Sequence, residues 1–285
     1  MKIIVFTDLD ATLLDSRTYS WKAASEALEA LRRREAEIVL VSSKTFAEMV
    51  PLHSELGFRC PFVVENGGGI AFPVASLMGA RLPTCESQVD SIHFGRFRML
   101  SLGTRYDELV RALAEVSSEV GSTLRGFASM SDAEVAALTG LSLEMGALAR
   151  QRHYDEPFII AEGDRCCHQD VVNAAEARGL AAVQGGRFWH LIGHGGKGSA
   201  AAILLELYRQ TYPRLLSVGL GDSPNDFPFL ELVDIPVLVG PAAGAIPCSQ
   251  SGNWLAHARL VPTQGPEGWN QAILAILSEL QEAKI

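Results

Sequence analysis

The chain has no long apolar run. No segment approaches the roughly 18 apolar residues of a membrane span, and the N-terminal run is cut at Asp8, so no signal peptide is expected. Positive charge is in deficit: 24 Lys and Arg stand against 33 Asp and Glu, a formal net charge of −9. Phosphate backbones need a basic surface, so a nucleic-acid partner is not expected. Cysteine is sparse and unpatterned. Cys60, Cys85, Cys166, Cys167 and Cys248 are odd in number and show no Cys-x-x-Cys spacing. That argues against a disulfide framework or a zinc site and for reduced thiols in the cytoplasm. There is no internal repeat and no low-complexity segment.

What is present is an ordinary soluble composition, 48% hydrophobic and 20% charged over 285 residues. That length suits one large domain or two moderate ones. The first third alternates strand and helix. Residues 2–7 and 38–41 are short apolar runs of the kind buried in a parallel sheet. A helix is predicted near 21–34, where Ala24, Ala27, Leu28 and Leu31 fall at helical spacing. Thr45 with Glu48 forms a capping-box pattern for the next helix, which Gly57 stops and Pro51 makes irregular. A third run, Pro61-Phe62-Val63-Val64, ends in Glu65-Asn66-Gly67-Gly68-Gly69.

The middle of the chain changes character. Short strands are predicted near 97–103, 122–128, 157–161 and 187–192, and helices near 105–120, 132–138, 142–152 and 168–179. Ser131 is the N-cap of the second helix. The α/β pattern then resumes with a helix at 199–211, strands at 215–220 and 235–239, and a last helix near 267–282. The expected fold is α/β, a Rossmann-like parallel-sheet core (1–83 and 191–285) carrying an inserted α+β module at 84–190.

Two of the predicted strands end in paired acids, Asp8-Leu9-Asp10 and Gly221-Asp222-Ser223-Pro224-Asn225-Asp226. Carboxylates at the C-terminal ends of parallel strands sit where such sheets bind ligands. Four acids gathered there would repel one another without a cation. Magnesium, which prefers hard oxygen ligands, fits them, and it points to a phosphorylated substrate. Asp8 can act as a carboxylate nucleophile toward phosphorus. Asp10, in the following turn, can protonate the leaving alkoxide and then activate water. Asp8 and Asp222 are the direct carboxylate ligands expected for the metal, the Asp10 carbonyl a third, with Asp226 acting through water or behind the ligands. Read alone, an Asp-x-Asp pair is equally a turn or a cap, and Asp222 with Asp226 equally a helix start.

Ser42 ends the second strand, where its hydroxyl and the following N–H groups, Ser43 included, can hold a phosphate; read alone, the pair is more simply a helix start. Lys197, in Gly193-His194-Gly195-Gly196-Lys197-Gly198, can balance the negative charge of nucleophile and phosphate, or be a solvated loop lysine. The same stretch matches G-x-G-x-x-G and so leaves a nucleotide-binding module open.

In order, these motifs resemble the haloacid dehalogenase-like phosphatase superfamily: Asp8 to Leu14 its first motif, Ser42 the second, Lys197 the third and Gly221 to Asp226 the fourth. Ala11 departs from it, since glycine is usual there. The resemblance implies Asp8 as nucleophile and Asp10 as acid and base. It implies Ser42, Ser43, Lys197 and Asn225 around the phosphate, and Asp8, Asp10, Asp222 and Asp226 around Mg2+. The insertion resembles the α+β cap of the Cof-like (type IIB) subclass, which handles sugar phosphates. Ser42–Thr45, Glu65–Gly68, Tyr154–Phe158, Gly186–His190 and Gly265–Asn270 resemble the mannosyl-3-phosphoglycerate phosphatase branch. A small sugar phosphate is the partner this implies, mannosyl- or glucosyl-3-phosphoglycerate, with phosphomannomutase chemistry as an alternative. In the cap Arg187 is the preferred anion contact, and Glu156, His190 and Arg152 are further candidates; each is also readable as a structural ion pair.

Overall fold

The computed structural model describes residues 1–76, 91–161, 167–185, 187–193, 195–240 and 253–282. Two compact units divide the chain, 1–42 with 201–285, and 43–200.

The first unit is built on a parallel five-stranded sheet in the order β13-β12-β11-β1-β2. Its strands are β1 (Lys2–Thr7), β2 (Glu37–Leu40), β11 (Leu215–Gly221), β12 (Ile235–Val239) and β13 (Arg259–Val261). β1 is buried from Ile3 onward, which is why it reads as an unbroken apolar run rather than an alternating one. Helix α1 (Ser25–Arg33) buries Ala27, Leu28 and Leu31, as their spacing predicts. The short helix α8 (Phe227–Leu230) precedes β12, and the final helix, α9 (Gly265–Glu282), buries Trp269, Ala272, Ile273, Ile276 and Leu277, one continuous face at helical period. The Asn270 side chain accepts the Ala27 N–H at 2.9 Å and so ties α9 to α1.

The second unit carries two antiparallel sheets, β3-β4-β6-β5 and β7-β8-β10-β9. The first comprises β3 (Phe62–Val64), β4 (Gly69–Pro73), β5 (Ser91–Phe94) and β6 (Phe97–Ser101). The second comprises β7 (Leu124–Gly126), β8 (Asp155–Ile160), β9 (Leu180–Gln184) and β10 (Trp189–Gly193). Helix α2 (Phe46–Glu55) starts on the predicted capping box and continues through Pro51. Helices α3 (Tyr106–Val120) and α6 (His168–Glu176) bury Leu109, Leu113, Val116 and Val171 against Leu124, Phe158, Leu180 and Leu191 of the second sheet. The short helices α4 (Asp132–Thr139), with a capping box at Ser131, and α5 (Leu143–Ala149) pack beside each other. Strands β4, β5, β9 and β13 were not foreseen. β9 is Leu180-Ala181-Ala182-Val183-Gln184, and its alanines carry little strand signal.

α7 (Gly196–Thr211) begins three residues earlier than the 199–211 prediction. It follows β10, whose partners β8 and β9 are both antiparallel to it. A dinucleotide fingerprint takes its meaning from a parallel βαβ unit. The Gly193–Gly198 match lacks that context, although His194 itself lies outside the described residues. The same holds for Gly186, Cys85, Cys166 and Cys248.

Candidate active site

The site begins with strand register. β1 pairs with β11 so that Thr7 faces Leu220, and the Asp8 N–H continues the ladder to the Leu220 carbonyl at 2.9 Å. The residues that follow, Asp8 on one strand and Gly221-Asp222 on the other, therefore leave the sheet side by side. Their neighbour is β2, whose Leu40 pairs with Thr7, so the fully buried Ser42 emerges at the same carboxyl edge.

Carboxylate oxygens of Asp8, Asp222 and Asp226 lie within 4.8 Å of one another. Asp8 and Asp226 are buried, Asp222 partly so. Three negative charges at such spacing oppose each other by about 3 kcal/mol per pair at an effective dielectric near 20. A hard, oxygen-only donor set of this kind suits Mg2+ and does not suit zinc. The trio thus fits a divalent cation by its chemistry.

Asp226 has a second task. Its Oδ2 accepts the backbone N–H groups of Asp222 and Ser223, both at 3.1 Å, and so shapes the loop that carries Asp222. Gly221 is required there, because a Cβ would stand 2.5 Å from the Asp226 Cβ. Asn225 accepts the Ser223 hydroxyl at 2.6 Å, and Pro224 opens the short 3-10 turn. The Thr12 hydroxyl reaches Asp222 Oδ1 at 3.4 Å.

Asp10 stands outside the carboxylate trio. It lies in the turn after β1, bridged to Leu14. Ala11 takes φ 62°, in the left-handed region that glycine occupies without cost. The turn seen here therefore needs the conformation expected of the usual glycine, and alanine holds it.

Lys197 is the second residue of α7 and is 3% exposed, which excludes the solvated-loop reading. Gly67 supports that turn. A Cβ on it would lie 2.1 Å from the Gly196 carbonyl oxygen, and its φ is +93°. Ser43, beyond Ser42, uses its carbonyl to accept an N–H of Arg152 at 3.3 Å.

Of the four cap candidates, three belong to a buried polar network and one does not. Arg187 is exposed and donates to the Thr139 carbonyl at 2.6 Å. Arg152 is buried and pairs with Asp155 at 3.3 Å. Burial works against its charge, but Asp155, Glu65, Glu48 and Glu156 around it more than compensate and hold its pKa above the ordinary value. His190 Nδ1 bonds Asp155 at 2.9 Å, and Asn66, at φ 53°, donates to the same carboxylate at 3.0 Å. Glu156 accepts the Tyr106 hydroxyl at 2.6 Å and the Ala128 N–H at 2.9 Å. Burial nevertheless raises its pKa to about 6, against the two hydrogen bonds that lower it. Glu65 accepts the N–H groups of His153 and Tyr154.

The centre of this network is Asp155, which sequence reasoning passed over in favour of Glu156. Both acids opening the strand are buried, so alternation along it gave no signal to choose between them. Glu65 and Asn66 were noted only as a motif, and their burial depends on contacts 89 residues away in sequence.

Residues 5–82 match the family model described as haloacid dehalogenase-like hydrolase. A protein of Methanococcoides burtonii, named glucosyl-3-phosphoglycerate/mannosyl-3-phosphoglycerate phosphatase, is 35% identical over 280 residues, 98% of each chain. One of the same name from Persephonella marina is 35% identical over 281 residues, again 98% of each. Among solved structures, a Thermoplasma acidophilum protein superposes with a TM-score of 0.65 at 21% identity, covering 96% of this chain and 98% of its own. Strand order, the acidic trio at the sheet edge and full-length similarity agree: the chain belongs to the haloacid dehalogenase-like hydrolases, as a phosphoric monoester hydrolase of the glucosyl-3-phosphoglycerate/mannosyl-3-phosphoglycerate phosphatase type.

Proposed function

We propose that this protein is a Mg2+-dependent phosphatase that hydrolyses mannosyl-3-phosphoglycerate, glucosyl-3-phosphoglycerate or both, releasing the glycosylglycerate and phosphate. The observation that carries the reading is the meeting of Asp8, Asp222 and Asp226 within 4.8 Å at the carboxyl edge of adjacent parallel strands. The substrate class rests on the names of the two 35%-identical relatives.

In this reading an Asp8 oxygen attacks phosphorus, and the bond from phosphorus to the glycerate oxygen breaks. Asp10 gives its proton to the departing alkoxide. Water then attacks the aspartyl-phosphate, Asp10 takes a proton from it, and Asp8 is regenerated. Asp8 and Asp222, with the Asp10 carbonyl, would hold Mg2+, which would offset the repulsion between carboxylate and phosphoryl oxygens, and Asp226 braces the loop. Ser42, Ser43 and Lys197 bind the phosphate, and Asn225 orders the fourth motif beside them. Residues 84–190 form the cap that selects the sugar, with 1–83 and 191–285 the core, and Arg187, Arg152, Glu156 and His190 are its candidate contacts. The activity is assigned to the cytoplasm.

Phosphate release across a sugar-phosphate panel tests this, with Mg2+ and with chelator. The panel includes both glycosyl-3-phosphoglycerates and a bisphosphorylated hexose. Turnover of a glycosyl-3-phosphoglycerate that requires Mg2+ and disappears in Asp8→Asn is expected. Undiminished release in Asp8→Asn overturns the nucleophile, and a requirement for the bisphosphate overturns hydrolysis in favour of mutase chemistry.

A further inference from the structure

The segment Gly265-Pro266-Glu267-Gly268-Trp269-Asn270 takes no part in the chemistry above, yet it is built into the strand that delivers Asp8. Trp269 is fully buried, and its indole N–H donates to Thr7 Oγ1 at 3.0 Å. Thr7, also fully buried, donates its hydroxyl to the Asp8 carbonyl at 2.8 Å. An indole nitrogen can only donate, so Thr7 must accept from it, and the one hydroxyl proton is left for Asp8. The donor at one end fixes the rotor in the middle, and a chain of this kind strengthens each of its bonds.

Asp8 is thereby held from both sides of its own backbone, its N–H by Leu220 and its carbonyl by Thr7. The same segment also holds the far end of the loop, where the Gly265 N–H donates to the Ala11 carbonyl at 3.0 Å. Its glycines permit this. Gly265 has φ 64°, and a Cβ on Gly268 would lie 1.9 Å from the Thr263 carbonyl oxygen.

We propose that Thr7 and Trp269 are positioning residues for the nucleophile: the Trp269–Thr7–Asp8 chain sets the orientation of the Asp8 peptide and so the aim of its carboxylate at phosphorus. The inference rests on the assignment of Asp8 as nucleophile. An error of an ångström in such a group costs about a hundredfold in rate, and loss of a supporting hydrogen bond about tenfold.

The test compares Thr7→Val, Thr7→Ser and Trp269→Phe with the parent and Asp8→Asn. The substrate is p-nitrophenyl phosphate at saturating Mg2+, whose turnover does not depend on which sugar is preferred. Thr7→Val removes the hydroxyl at constant volume, Thr7→Ser keeps it, and Trp269→Phe removes the indole N–H. Thr7→Val and Trp269→Phe are expected to lower kcat about tenfold with KM within about twofold, while Thr7→Ser stays within about threefold of the parent. The double variant should be no slower than Thr7→Val, because both act along one path. Should Trp269→Phe not fold, as judged by circular dichroism, the valine and serine pair decides the matter. A kcat for Thr7→Val within about threefold of the parent, or a loss that Thr7→Ser shares, overturns the proposal. Activity retained in Asp8→Asn would instead overturn the nucleophile assignment beneath it.

Discussion

The Asp226 carboxylate accepts the backbone N–H of Asp222 at 3.1 Å, so one acid of the trio shapes the loop that carries another. Removing it has two separable effects. Asp226→Ala leaves the Asp222 and Ser223 N–H groups without their acceptor and should be about 2–3 kcal/mol less stable than Asp226→Asn, which removes the same charge. Asp226→Asn keeps an acceptor, while still raising the Mg2+ concentration for half-maximal activity about tenfold. Thermal unfolding in chelator and a Mg2+ titration of activity measure the two effects independently.

The repulsion within the acidic trio predicts an inversion. In chelator, Asp222→Asn should be at least as stable as the parent, because one of three mutually repelling charges is gone. With Mg2+ at a hundred times its dissociation constant, the parent should gain about 2.7 kcal/mol, and the variant much less. Unfolding curves with and without Mg2+ test this without any assay of activity. A Mg2+-dependent shift that survives intact in Asp222→Asn would remove that residue from the metal site.

Glu156 should leave a mark on stability against pH. Its pKa rises from 4.5 to about 6 on folding, chiefly through burial. Between those values the folded chain binds the proton more tightly than the unfolded one. This contribution is therefore fully present below pH 4.5 and is lost as pH rises through 6, by about 2 kcal/mol in all. Glu156→Gln, which stays neutral, should flatten that part of the profile and be the more stable form at pH 7.5. Denaturant unfolding at pH 5 and 7.5 on both proteins is the measurement.

Ala11 holds a left-handed conformation that costs an L-residue about 1–2 kcal/mol. Glycine removes that cost but adds freedom to the unfolded chain, so Ala11→Gly should gain about 0.5–1 kcal/mol. Thermal unfolding checks it, and a lowered melting temperature would contradict the strain.

Much of the site was legible because its chemistry is carried by local runs. Ile3–Phe6 is apolar and Leu215–Leu220 is broken only by Ser217, so they read as buried strands, and the acids that follow mark the strand ends. The capping box at Thr45 and the N-cap at Ser131 formed as written, since each is closed within four residues. Arg187 was favoured for its bidentate geometry, a property of the residue type, and the structure places its guanidinium on the surface with one N–H on the Thr139 carbonyl.

The sequence by itself determined the parallel strands, their acidic ends and hence the class of chemistry, because hydrophobic periodicity and short motifs are properties of neighbouring residues. Only the tertiary structure decided that Asp226 joins Asp8 and Asp222 while the Asp10 carboxylate does not. It alone made Asp155 the centre of a buried network, and it alone brought Trp269 to Thr7 across 262 residues of chain. Strand register and helix docking set such meetings, and no local run of residues carries that information.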